Sequence, residues 1–216
     1  IIRAIAYADI IDTLGMEGSE VLHFSESGIA VLNPSSTLMA ASFSSDASWI
    51  EPFLDARLIA AHGIELYGYL YENGYRVEEP CFLYVYEGNA FNDTGYDIRL
   101  LDMEYAEKAA SFYHDELGYI SSRIAAGRLW GIFTGGELAG FGGFHEEGAM
   151  GMLEILPDFR RHSFGEHLER FLIDKAIEEG RTAYCNVYAS NAASSSLQRK
   201  LGLACSAIMT WWMWKE

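Results

Sequence analysis

Apolar positions recur along this chain in two rhythms, and the places where one gives way to the other divide it into elements. Alternating or short continuous apolar runs predict strands at residues 27–34 and 37–43, which flank an Asn33-Pro34-Ser35-Ser36 turn as a hairpin. Further strands are expected at 80–86, 97–101, 129–134 and 137–145, the last two joined about Gly135-Gly136. Others follow at 150–156, where Pro157 stops the run, at 183–188 and at 207–214. The helical period governs 48–73 in one or two pieces, 104–113, 116–126, and 166–177, where apolar residues fall at 168, 171, 172, 176 and 177. A last helix follows Asn191. The expected fold class is α/β, in the α+β sense of a mixed sheet with helices on both faces.

Candidate chemistry concentrates where the strand Met152-Leu153-Glu154-Ile155-Leu156 passes through Pro157 and Asp158-Phe159-Arg160-Arg161-His162-Ser163-Phe164-Gly165 into a helix. A strand, a basic turn and a helix in that order aim free backbone N–H groups and the positive end of a helix dipole into one small volume. That suits a phosphate-bearing ligand. Arg160, Arg161 and His162 add side-chain donors. Two other uses of the turn stay open. Ser163 with Glu166 fits a capping box that needs no ligand, and Arg161 and His162 fit solvated turn positions.

Composition narrows the function classes. With half of its 216 residues hydrophobic and 21% charged, the chain is globular. No apolar run approaches the ~18 residues of a membrane span, and no signal-peptide pattern opens the sequence, which starts at Ile1 without methionine, so upstream residues are a possibility. Cys81, Cys185 and Cys205 lie far apart without metal-type spacing, so no metal is expected and a reducing cytoplasm is the expected location. The net charge of −16 is uneven: residues 1–95 carry 3 Arg against 14 acidic residues (−11), and 96–216 carry 12 basic against 17 acidic (−5). Nucleic acid and membrane are therefore not expected partners; a cationic amine would be drawn in by the overall field, and the other, commoner use of an acidic surface is solubility alone. The segment 88–95 has linker composition and suggests two domains, an acidic 1–95 and a second 96–216.

The turn Arg160, Arg161-His162, Ser163, Phe164, Gly165 resembles motif A of the GNAT superfamily of acyl-CoA-dependent N-acyltransferases, with serine at the central glycine. Asn191 to Leu203, in which Asn opens the last helix and Lys200-Leu201-Gly202-Leu203 closes it, resembles motif B. The two matches stand in the family's order, 26 residues apart (191 minus 165), and the resemblance covers about residues 96–216. It implies a GNAT-like fold preceded by a smaller α/β domain. That first domain is either unrelated or a degenerate GNAT-like half, since Leu70–Tyr75 followed by an aromatic strand echoes Gln198–Leu203 followed by 209–214.

The resemblance further implies acetyl-CoA, or coenzyme A with another short acyl group, as co-substrate and a small-molecule or amino-acid-like amine as acceptor. The backbone of Leu153 and Ile155 is expected on the pantetheine, the N–H groups from Arg161 to Gly165 on the pyrophosphate, and Asn191 along the cofactor arm, with N-capping as its other role. Ala149 and Gly151, near the expected acyl end, would leave room for more than acetyl. At the family's frequent acid and base positions stand Gln198 and Asn186, amides that orient groups but do not exchange protons near neutral pH. Glu154 is the first candidate base, with a paired structural carboxylate as the alternative, and His145, Glu146 and Tyr188 stand in reserve. His23, His62 and His114 have no partner visible in the sequence. A GNAT-derived module that binds the cofactor without efficient transfer is the competing function, and the acidic first domain either closes over an acceptor or forms a homodimer contact.

Overall fold

The computed structural model describes residues 5–93, 95–113 and 117–215. Ile1, Thr94 of the expected linker, His114, and Glu116 at an expected helix start lie outside the described residues. The fold is a mixed α/β one, in two compact units: residues 1–87 together with 184–216, and residues 88–183.

The first unit is built on a seven-stranded sheet. In chain order its elements are α1 (Ala8–Leu14), β1 (Glu20–Phe24), β2 (Gly28–Leu32), β3 (Leu38–Ser42), a 3-10 turn (Ser48–Phe53), β4 (Leu58–His62), α2 (Ile64–Glu72) and β5 (Cys81–Val85). The late elements β10 (Tyr184–Tyr188), α6 (Ala192–Lys200) and β11 (Ala204–Trp214) belong to it as well. Strand order is β1-β2-β3-β4-β11-β5-β10, with β3 and β4 parallel and the other pairs antiparallel. Strand alternation splits its residues between two cores. Ala30, Leu38, Ala40, Ile59, Ala61, Trp211 and Met213 pack with Leu66 and Leu70 of α2, while Val31, Met39, Ala41 and Ala60 pack with Ile10 of α1.

The expected helical stretch 48–73 is therefore corrected: its middle is the strand β4. Leu58-Ile59-Ala60-Ala61 is apolar at consecutive positions because both faces are covered, which removes the alternation that would mark a strand. At its end His62 is fully buried and holds two acceptors, its Nδ1 on the Ala40 carbonyl at 3.0 Å and its Nε2 on Asp9 Oδ2 at 2.8 Å. Both ring nitrogens face acceptors, so the ring is an imidazolium paired with a carboxylate. Burial pulls His62 down, but the Asp9 charge, its hydrogen bond and the backbone carbonyls outweigh it, and the net shift is upward. This pair ties α1 to the sheet.

The second unit holds a four-stranded antiparallel sheet, β6 (Asp97–Leu100), β7 (Leu129–Thr134), β8 (Glu137–Phe144) and β9 (Met150–Ile155), in that order. Gly135 and Gly136 both take positive φ, +59° and +84°, as a two-residue hairpin loop requires. One face carries α3 (Ala106–Tyr113) and α4 (Leu117–Ala125), whose Ala109, Ile120 and Ile124 meet Leu129, Phe141, Met152 and Leu156. The other face carries α5 (Phe164–Glu178), whose Leu168 meets Ile132 and Ala139, flanked by Leu153 and Ile155. The expected linker is fastened to α5: the N–H groups of Phe91 and Asn92 donate to Asp174, and Asp93 pairs with His167 and Arg170. No helix among the described residues is long and apolar enough to cross a membrane.

Candidate functional site

The turn between β9 and α5 is where local backbone and sequence chemistry meet. Pro157 opens a 3-10 turn over Pro157–Phe159, Arg160 is extended, and Arg161 and Ser163 take left-handed conformations at φ +68° and +63°. Such a conformation costs a non-glycine residue on the order of 1 kcal/mol, and it persists where the surroundings enforce it. Ser163 thus stands in a left-handed conformation that glycine adopts without this cost. It is also the N-cap of α5, but its side chain makes no capping bond, so the expected capping box is not formed. Glu166 turns instead to Arg170, one helical turn on, at 2.6 Å.

The consequence is a row of open donors. The first helical bond at this end runs from His167 N–H to the Ser163 carbonyl, and the N–H groups of Arg161, His162, Ser163, Phe164 and Gly165 meet no protein acceptor among the described residues. They lie at the positive end of a 15-residue helix. The His162 ring donates from Nδ1 to the Arg160 carbonyl at 2.9 Å, which braces the turn. The Phe164 side chain packs beside Leu168, and a β-carbon at Gly165 would make ordinary contact with Ile155, 3.5 Å away. Arg161 is exposed and has no ion pair among the described residues.

Arg160 is engaged elsewhere. Its Nε donates to the Ile155 carbonyl and its Nη2 to Glu154 Oε1, both at 2.9 Å. Glu154 is thereby a paired carboxylate. β9 is the edge strand of its sheet, and the carbonyl that Arg160 takes is one that faces away from β8. The strand is bulged: the register with β8 shifts between Phe141 and Gly143, where Met152 stands at φ +52°. Past the bulge Leu153 and Ile155 share the α5 face.

Of the remaining expected residues, Asn186, Asn191 and Gln198 are in the first unit. Asn191 caps α6, its side chain accepting from Ser194 N–H at 3.0 Å. Asn186 sits on the edge strand β10, opposite Leu83, and both polar atoms of its amide are screened from solvent without a hydrogen-bond partner among the described residues. Gln198 is buried in α6. Tyr188 is exposed and donates to Glu78 at 3.3 Å.

A second cluster of polar groups occupies the β8–β9 turn. His145 Nδ1 lies 2.7 Å from the Tyr119 hydroxyl of α4, the two rings stacked, both half-buried. A β-carbon at Gly151 would overlap the His145 ring, so only glycine admits it there. The room expected beside Gly151 is thus filled by the imidazole. Burial raises the neighbouring Glu147 carboxyl, with His145 and Arg123 pulling the other way, and burial together with the Glu147 charge raises the Tyr119 phenol. Arg123 completes the cluster, donating to the Phe144 carbonyl at 3.1 Å with Glu146 at 3.9 Å. Tyr119 and Arg123 were not singled out by the sequence, although their i, i+4 spacing puts both on one helical face.

The family model described as "Acetyltransferase (GNAT) family" matches residues 93–203, more than half of the chain. Among solved structures, a Drosophila protein superposes with a TM-score of 0.68 at 16% identity, over 91% of this chain and 79% of its own. A GNAT-family protein from Novosphingobium aromaticivorans gives 0.62 at 18% identity, over 97% of both chains. A GCN5-related N-acetyltransferase from Kribbella flavida gives 0.60 at 14%, over 100% of this chain and 95% of its own. No curated protein matches the chain in sequence.

Proposed function

The chain belongs to the acetyltransferase (GNAT) family, and from that premise we propose that it transfers an acetyl or other short acyl group from coenzyme A to the amine of a small-molecule or amino-acid-like acceptor. The observation that carries this is the run of open N–H groups from Arg161 to Gly165 at the start of α5. Five consecutive donors, a helix dipole and the exposed Arg161 guanidinium form a cradle for a diphosphate. Arg160 serves the cradle indirectly, by fastening the turn to Glu154 and Ile155. Coenzyme A supplies the acyl group as a thioester; the protein's part is to hold its diphosphate and to bring an uncharged amine to the carbonyl. The net charge of −16 supports a cationic acceptor, which such a field concentrates.

Isothermal titration with acetyl-CoA, desulfo-CoA and a dephospho analogue tests the cradle. Micromolar binding, weakened at least tenfold in Arg161→Glu with an unchanged circular dichroism spectrum, is the expected result. Absence of heat at millimolar acetyl-CoA refutes the assignment.

A second reading, a cofactor-binding module without efficient transfer, draws on Asn186 and Gln198, amides at the positions where the family often carries proton-exchanging groups. Acetyl-CoA turnover with a panel of polyamines, amino acids and aminoglycosides separates the two: acetylation of any amine excludes the module.

A further inference from the structure

An acyl transfer to an amine needs a group that takes one proton and returns another; Glu154 is paired with Arg160, and Asn186 and Gln198 are amides that exchange no proton near neutral pH. We propose that His145, oriented by the Tyr119 hydroxyl over Gly151, is the residue that carries the acceptor's proton to the departing sulfur. This rests on the acyltransfer reading above and on the family resemblance, which implies an acyl end near Gly151.

Three observations support it. The first is the choice of partner at Nδ1. The Tyr119 hydroxyl is both donor and acceptor and rotates to suit, so the ring keeps its 2.7 Å bond whether Nε2 carries a proton or a lone pair. With Nδ1 engaged, Nε2 is the nitrogen left to accept and release a proton. The second is position. Gly151 is the β9 residue directly before the bulge at Met152, and its missing side chain is what admits the imidazole edge, Nε2 included, to the strand backbone. The third is support: Tyr119 and Arg123 come from one face of α4, and Arg123 holds the Phe144 carbonyl one residue before His145. The charged and titratable groups about the ring are Tyr119 and Arg123 from α4, Glu146 and Glu147 in the turn, and Arg181, which donates to the Gly148 carbonyl at 3.0 Å.

The step balances without further reactants. The amine nitrogen attacks the thioester carbonyl, an N–C bond forms and the C–S bond breaks. The nitrogen's proton passes to His145 Nε2, and the thiolate takes a proton from the same nitrogen, giving amide and thiol. Tyr119 acts through His145 and is a positioning residue.

The test uses the full chain and an amine that the unaltered protein acetylates. His145→Gln keeps a polar group within reach of Tyr119 but exchanges no proton. It is expected to lower kcat about 100-fold or more near neutral pH, in line with general acid-base catalysis. The acetyl-CoA Kd should move less than threefold, and the acidic limb of the kcat profile should disappear. Tyr119→Phe removes one hydroxyl, and should lower kcat about tenfold with KM for acetyl-CoA unchanged and the acidic limb displaced. Should His145→Gln fail to fold, Tyr119→Phe carries the test alone. A His145→Gln protein with the original kcat and pH profile overturns this inference and leaves the acyltransfer reading standing. So does a loss of kcat matched by an equal loss of acetyl-CoA binding. A parent protein that acetylates no amine of the panel overturns the acyltransfer reading, and this inference with it.

Discussion

Replacing Asp9 by alanine removes the carboxylate that pairs with the buried His62. Asp9 and His62 side chains are both 0% exposed, and Asp9 uses both oxygens, Oδ1 on the Ile10 N–H at 2.9 Å and Oδ2 on His62 Nε2 at 2.8 Å. Breaking a buried pair by removing one partner costs about 3–5 kcal/mol. For a unit of this size that corresponds to a fall in Tm of roughly 10–20 °C. The sign of the pH dependence is the sharper observable. In the parent protein the His62 pKa is raised above its unfolded value of 6.5, so the stabilisation is fully present below pH 6.5 and is lost as pH rises through the folded value. Without Asp9, burial dominates and the ring stays neutral, so the variant should gain stability as pH rises through 6.5. Urea denaturation at pH 5.5, 6.5, 7.5 and 8.5, followed by tryptophan fluorescence and fitted for each variant, reads both slopes. A difference between the two proteins that stays constant with pH, or a cost below about 1 kcal/mol at pH 5.5, refutes an ionised pair.

Two further outcomes follow from local geometry. Ser163→Gly relieves a left-handed serine at the N-cap of α5 and should stabilise the fold by about 1 kcal/mol in chemical denaturation; destabilisation would mean that the Ser163 side chain contributes more than its backbone strain costs. Titration with an aromatic disulfide reagent should find one fast thiol, the exposed Cys205, because Cys185 is buried and burial pushes the Cys81 thiol up to about 12. All three should react in denaturant, and a fast second thiol under native conditions contradicts the burial.

The second unit is the part most legible in the sequence. Its hairpin, its basic turn and α5 each carry a clear period and a loop residue that fits, and the resemblance read at 160–165, with that at 191–203 in the first unit, agrees with the family model over 93–203. What escaped depends on tertiary context. β4 and β3 are apolar on both faces, so β4 reads as helix. The Glu154–Arg160 pair forms because the 3-10 turn at Pro157–Phe159 swings Arg160 back on the strand it has just left. Ser163 and Glu166 satisfy a capping-box pattern, yet the left-handed N-cap prevents it, since the pattern specifies residue types and the box requires an extended backbone. His145 was visible only as a reserve, because its pairing with Tyr119 joins residues 26 positions apart on a helix and a turn.

The place of β11 between β4 and β5 sets the order in which this chain can fold as it leaves the ribosome. Until residues 204–214 emerge, β4 lacks a neighbour on one side and the β5–β10 pair has none on its other, so the large sheet stands as two pieces with bare edges. The inserted residues 88–183, whose sheet is complete by Ile155, have no such wait. A stop codon that removes only the last strand would therefore harm the beginning of the chain more than the middle, leaving β4 and β5 open to aggregation or to a proteolytic quality-control system.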